Sequence, residues 1–107
     1  MKIYEETTKI KPDHTLTVHF SAHDGCNVIV RTLSDIPVTV MVLNNDQYNR
    51  IMGGKVNKKD IAITYAKELN AINLRFSMDD DEDFHISIVN HSKKKYANAA
   101  TIVESYR

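Results

Sequence analysis

The chain has 107 residues, about one domain's worth, and a domain of that size takes roughly two thirds of its unfolded surface out of water, enough for one core without staples. Fourteen lysines and arginines balance fourteen aspartates and glutamates, so no net field exists to hold a nucleic-acid backbone or an anionic membrane surface. A net charge of zero also removes the repulsion that keeps copies of a protein apart, which favours self-association or a protein partner.

Cys26 is the only cysteine, which excludes an intrachain disulfide framework and a four-cysteine zinc site and fits a reducing compartment. The start, Met1-Lys2-Ile3-Tyr4-Glu5-Glu6, goes straight into polar alternation without the apolar run of a signal peptide. No stretch approaches the roughly 18 apolar residues of a membrane span. The expected setting is the cytoplasm, with neither membrane nor nucleic acid among the partners.

In chain order, residues 3 to 10 are expected to form an edge strand. Residues 15 to 21 alternate, with Leu16, Val18 and Phe20 on one face and Thr15, Thr17, His19 and Ser21 on the other, the pattern of a half-buried strand. The turn His23-Asp24-Gly25 leads to a strand over 27 to 33, rich in β-branched residues. Ser34-Asp35-Ile36-Pro37 then punctuates before a strand over 38 to 43, with Pro37 at its first position, where a missing N–H costs little. These three strands read as a consecutive antiparallel meander.

Residues 44 to 54 change character: cap-type residues come first, then Tyr48, Ile51 and Met52 at helical spacing, then Gly53 and Gly54. One or two helical turns are predicted there, followed by a polar connector. Two alternating runs come next, Ile61, Ile63, Tyr65 and then Ile72, Leu74, Phe76, broken at Lys67-Glu68-Leu69-Asn70 as in a hairpin. After the acidic run Asp79-Asp80-Asp81-Glu82-Asp83, residues 84 to 91 form a strand, Ser92-Lys93-Lys94-Lys95 turns the chain, and residues 97 to 106 close the domain. About eight strands with turn signals every eight to twelve residues predict a single all-β domain over 1 to 107, an antiparallel, jelly-roll-like β-sandwich with one short helical insertion.

No set of residues converges on a reaction. His23-Asp24-Gly25-Cys26 gathers an imidazole, a carboxylate and a thiol, but neighbours in a tight turn rarely point at one atom, and Asp-Gly is the dipeptide such a turn prefers. Among the histidines, His85 and His91 share strand parity and His19 lies on a polar strand face, so two strands present a cluster in principle. No ligand spacing supports a metal, and isolated surface histidines are the expectation. The acidic run lacks the glycine and alternate spacing of a calcium loop and reads as a solvated turn. Gly53-Gly54-Lys55 is a helix stop rather than a phosphate loop. The strand over 84 to 91 puts the acidic run and the Lys93 to Lys95 turn at opposite ends of the domain.

The strand opened by Ile36-Pro37-Val38 and ended by Val42-Leu43, followed by Asn45-Asp46-Gln47-Tyr48 and a glycine-closed helical turn, resembles small β-sandwich domains of the GOLD (Golgi-dynamics) type. Residues 84 to 91, Phe-His-Ile-Ser-Ile-Val-Asn-His, are similar to the penultimate strand of those domains. The resemblance implies an adaptor or interaction module and brings no catalytic residues. With no catalytic residues, cofactor or metal expected, the reading is a non-enzymatic protein-interaction or assembly module that associates with itself or with a protein partner. The alternatives are a small-ligand or carbohydrate-binding sandwich using Asn45, Asp46 and Tyr48 near a loop end, and an enzyme that pairs Cys26 or a carboxylate with a histidine from another strand.

Overall fold

The computed structural model describes residues 2–21, 26–52, 64–78 and 83–106. These form β1 (Lys2–Ile10), β2 (Thr15–Ser21), β3 (Cys26–Asn44), α1 (Asn45–Met52), β4 (Thr64–Met78), β5 (Asp83–Asn90) and β6 (Ala97–Tyr106). All strand pairings are antiparallel: β1 with β6, β6 with the first half of β3, the second half of β3 with β5, and β5 with β2. Strand β4 lies along the other side of β3 for most of its length.

Strand β3 is therefore shared between two layers. Its residues 27 to 34 pair with β6, and its residues 38 to 44 pair with β5. The first sheet is β1, β6, the first half of β3 and the second half of β4; the second sheet is β2, β5, the second half of β3 and the first half of β4. Strands that pass from one sheet to the other through a bulge are a standard way of closing a sandwich. Alternate residues of both halves face one core, in which Val28, Val30, Val38, Val40, Val42 and Val103 are fully buried with Phe84, Ile86 and Ile88. An aromatic row crosses from sheet to sheet: Tyr4 sits edge-on to Phe20 at 5.7 Å, Phe20 stacks on Phe84 at 5.2 Å, and Phe76 meets Phe84 edge-on at 5.4 Å.

The all-β antiparallel sandwich with one short helix is as expected, but two of the predicted turns are bends inside continuous strands. Between Leu33, opposite Ala71, and Val38, opposite Leu69, β3 carries Ser34, Asp35, Ile36 and Pro37 against Asn70 alone on β4. The surplus residues turn the corner between sheets. Pro37 thus sits inside a strand, at a bulge where no ladder bond needs its N–H. The corner is pinned by side chains: Asn70 donates from Nδ2 to the Ser34 carbonyl at 3.2 Å, and the Asp35 carboxylate accepts from the Asn98 backbone N–H at 2.8 Å and its amide at 2.6 Å. Those bonds to Asn98 hold the Asp35 pKa below the usual carboxylate value.

The expected break at Lys67-Glu68-Leu69-Asn70 is likewise a bulge, since Leu69 and Ala66 face Val38 and Val40; Ile61 and Ile63 lie outside the described residues, and from Thr64 on the expected hairpin is the single strand β4. About eight strands therefore become six among the described residues. Nor is β2 part of a meander with β3, because it pairs with β5. β1 and β2 belong to different sheets, and the link between them crosses one end of the sandwich.

That end is tied by Asn90, fully buried at 0% exposure. Its Nδ2 donates to the carbonyls of Ile10 at 3.1 Å, Lys11 at 3.2 Å and Lys95 at 2.8 Å, and its Oδ1 accepts from the Ser92 N–H at 2.9 Å. One amide joins the β1–β2 link to the β5–β6 link. Asp13 in the same link is in the left-handed region with φ 61°, and its N–H donates to the Ser92 carbonyl at 2.9 Å. The helix begins on a reciprocal cap: Asn44 Oδ1 accepts from the Gln47 N–H at 2.8 Å while Gln47 Oε1 accepts from the Asn44 N–H at 2.9 Å.

Candidate functional site

Each sheet has an outer face, and the two differ in what covers them. On the second sheet, Thr39, Met41 and Leu43 of β3 and His85 and Ser87 of β5 point away from the core and are nevertheless buried. Helix α1 packs against β3 and β5 on this side. Tyr48 lies flat on His85, with ring centroids 4.0 Å apart and planes 6° from parallel. Asn45 Oδ1 is 3.2 Å from His85 Nε2, and the Asp46 carboxylate pairs with Arg50 at 3.3 Å one helical turn on.

Of the three residues predicted to bind a ligand, Asn45 and Tyr48 are therefore brought together on His85, and Asp46 points to Arg50. The sequence also set His19, His85 and His91 as a possible cluster. His19 is the direct cross-strand partner of His85, their rings 4.8 Å apart, and its Nε2 is 3.4 Å from the Asp83 carboxylate. His91 lies elsewhere, with its Nε2 2.7 Å from the Thr39 hydroxyl. Burial, and then the neighbouring His19, push the His85 pKa below the usual imidazole value, with Asp83 opposing in part. Among the described residues no group of three or more His, Cys, Asp or Glu side chains is placed to hold a metal ion. The His23-Asp24-Gly25 turn, the Cys26 side chain, Gly53-Gly54-Lys55 and the acids at 79 to 82 lie outside the described residues.

On the outer face of the first sheet no described element lies over the strands. Register places Thr7, Ala100, Leu33 and Ala71 in one row across β1, β6, β3 and β4, and Glu5, Ile102, Arg31 and Asn73 in the next. Leu33 is 64% exposed. Because Leu33 rises between two alanines, the face holds a shallow, largely apolar concavity of about 350 Å³ along its rows. Some charges on this face are paired inside the chain, Arg31 with Glu104 at 3.3 Å and Glu5 with Lys2 at 2.6 Å, and Arg75 stands exposed on the same face opposite Ile29.

This face was not singled out in the sequence. The signal present there was that residues 28 to 33 are apolar at both parities, Val28 and Val30 inward but Ile29 and Leu33 outward, and that Ala100 and Ile102 oppose Ala99 and Val103 on β6. A strand in a one-core sandwich needs only one apolar face.

No protein-family model matches the chain, and no curated protein is significantly similar to it in sequence. Among solved structures, the chain is similar to the pre-peptidase C-terminal domain of collagenase from Bacillus anthracis, with a TM-score of 0.62 and 15% identity over 94% of this chain and 89% of that one. At that identity the likeness is one of fold, and function has to be argued from the faces.

Proposed function

We propose that this chain is a non-enzymatic module that works by protein–protein contact through the outer face of its first sheet. One observation carries the reading: Leu33, 64% exposed, stands beside a largely apolar concavity on a four-strand face that no described element covers, while on the second sheet's outer face the chain's own helix packs against β3 and β5. Contiguous apolar surface left in water is unfavourable in proportion to its area, and a partner relieves it. A catalytic reading needs an acid, a base or a nucleophile converging on a hollow, and the concavity beside Leu33 is lined by Leu33, Ile72, Ile102 and two alanines with Arg31, Thr32 and Asn73, and by no carboxylate, histidine or cysteine.

The small-ligand reading keeps Asn45, Asp46 and Tyr48 as its candidates. It ranks second because one face of the Tyr48 ring and the Asn45 oxygen are already spent on His85. The resemblance to GOLD-type adaptor domains supports the first reading.

The test is a photo-cross-linking amino acid placed at position 33 of the full chain, with the same probe at the exposed position 46 on α1 as control. A protein adduct formed from position 33 and absent from position 46 is the expected result. No adduct at 33, or equal adducts at both, contradicts the reading.

A further inference from the structure

We infer that the end of the sandwich tied by Asn90 is a second contact surface, independent of the open face, and that it receives a short protein segment rich in aspartate and glutamate. Five lysines gather there: Lys9 near the end of β1, Lys11 in the β1–β2 link, and Lys93, Lys94 and Lys95 in the β5–β6 link. The fold itself brings them together. The Lys11 and Lys95 carbonyls accept from the same Asn90 Nδ2, at 3.2 Å and 2.8 Å, and the Lys9 ammonium lies 5.5 Å from the centre of the Tyr96 ring. All five lysines are exposed.

Charge identifies the occupant. Lys2, Arg31 and Arg50 each pair with a carboxylate, whereas none of the five lysines at this end has an ion pair among the described residues. Lys67 and Arg75 also lack one, but they stand on β4, which β3 separates from β5 and β6. The acids of the two links and the corner are Asp13 and Asp35, and the Asp35 carboxylate is taken by Asn98. Five positive charges against these two repel one another, and a buried amide with four hydrogen bonds holds the links together against that repulsion. Carboxylates brought by a partner relieve it, and because the backbone of both links is already fixed, less ordering opposes binding.

The surface beside the lysines narrows the partner to a peptide. A hollow of about 470 Å³ is lined by Ile36, Pro37, His91, Ser92 and Lys95, without a carboxylate. Lys95 brings an ammonium group. Ser92 Oγ accepts from the N–H groups of Lys94 at 3.3 Å and Lys95 at 2.9 Å and keeps its own proton to donate. Ile36 and Pro37 supply an apolar wall. A peptide segment carries carboxylates for the donors and an apolar side chain for the wall. A nucleic-acid strand or a membrane extends past this end and meets the acidic groups that cancel the chain's charge overall, which a short segment avoids.

The experiment is fluorescence anisotropy of a labelled Asp-Asp-Asp-Ile-Asp-Asp-Asp peptide titrated at low salt with the full chain, up to about 1 mM. Saturable binding is expected, at least about tenfold weaker in the double variant of Lys11→Glu and Lys95→Glu. The double variant of Lys67→Glu and Arg75→Glu, which alters net charge equally but elsewhere, should change it by no more than about twofold. The Asn90 bonds use the backbone carbonyls of Lys11 and Lys95, so the first variant keeps them, and circular dichroism confirms that both variants are folded. No binding by the wild type, or equal loss in the two variants, overturns the inference. A single-stranded oligothymidylate, and vesicles of phosphatidylserine and phosphatidylcholine in equal parts, are the other arms: tighter binding of either than of the peptide overturns the choice of a protein segment.

Discussion

Leu33 and Leu43 lie on the same strand with the same outward parity, yet one is 64% exposed and the other 1%. The difference is not in the strand. Past the corner at residues 34 to 37, β3 enters the second sheet, where α1 follows directly from its end and folds back over β3 and β5. Before the corner, no described element returns over the first sheet. A leucine's fate is thus decided by which sheet the bulge delivers it to, and the uncovered sheet is where an outside partner has something to gain.

The largest effect that sharpens this contrast comes from truncating both leucines. Leu43→Ala should cost about 2–5 kcal/mol, the range for emptying a buried leucine site, and Leu33→Ala no more than about 0.5 kcal/mol at low protein concentration. Urea unfolding of the two variants measures both, and similar costs would erase the distinction between the faces.

A smaller effect is expected where the helix is fastened. Tyr48→Ala removes the stack on His85 and should cost about 1–2 kcal/mol, while Gln47→Ala breaks one arm of the cap and should cost about 1 kcal/mol. Hydrogen exchange of amides 45 to 52 should accelerate in both variants and stay unchanged in Leu33→Ala.

The next effect is a dependence on pH. The folded His85 pKa lies below the usual 6.5, so the unfolded chain takes up this proton first. The His85 contribution is whole above about pH 6.5 and is lost as pH falls below it. The groups facing His85 are His19 from β2, Asp83 from its own strand, and Asn45 and Tyr48 from α1. Replacing His85 by Phe should flatten the stability profile below about pH 6.5, read by urea midpoints on both sides of that value. A profile identical to the wild type would remove His85 as the cause.

The smallest expected effect is on the open face itself. Leu33→Arg should change the monomer's stability by no more than about 0.5 kcal/mol, because a surface site without buried partners has little to lose. A large loss would mean that the chain covers this leucine in solution.

The sandwich was legible because alternation in residues 15 to 21 and 84 to 90 encodes strands with little ambiguity, and the helix because Asn44 and Gln47 stand at cap spacing ahead of Tyr48. The corners were not. Ser-Asp-Ile-Pro and Lys-Glu-Leu-Asn are turn compositions, and the sequence does not distinguish a turn that reverses the chain from a bulge that bends it, since both need residues released from the ladder. The open face was hidden for a related reason. Ile29 and Leu33 look like ordinary strand residues until register sets Leu33 between Ala71 and Ala100 in a row that no described element covers. Asn45, Asp46 and Tyr48 read as one group near a loop end, but the engagement of Asn45 and Tyr48 with His85 depends on a strand about forty residues away, and Asp46 pairs with Arg50 instead.

The most direct measurement compares photo-cross-linking from the two outer faces. If the open face is the contact surface, a cross-linker at position 33 or 102 should form protein adducts while one at position 46 forms none. Adducts from position 46 with none from 33 or 102 would contradict it.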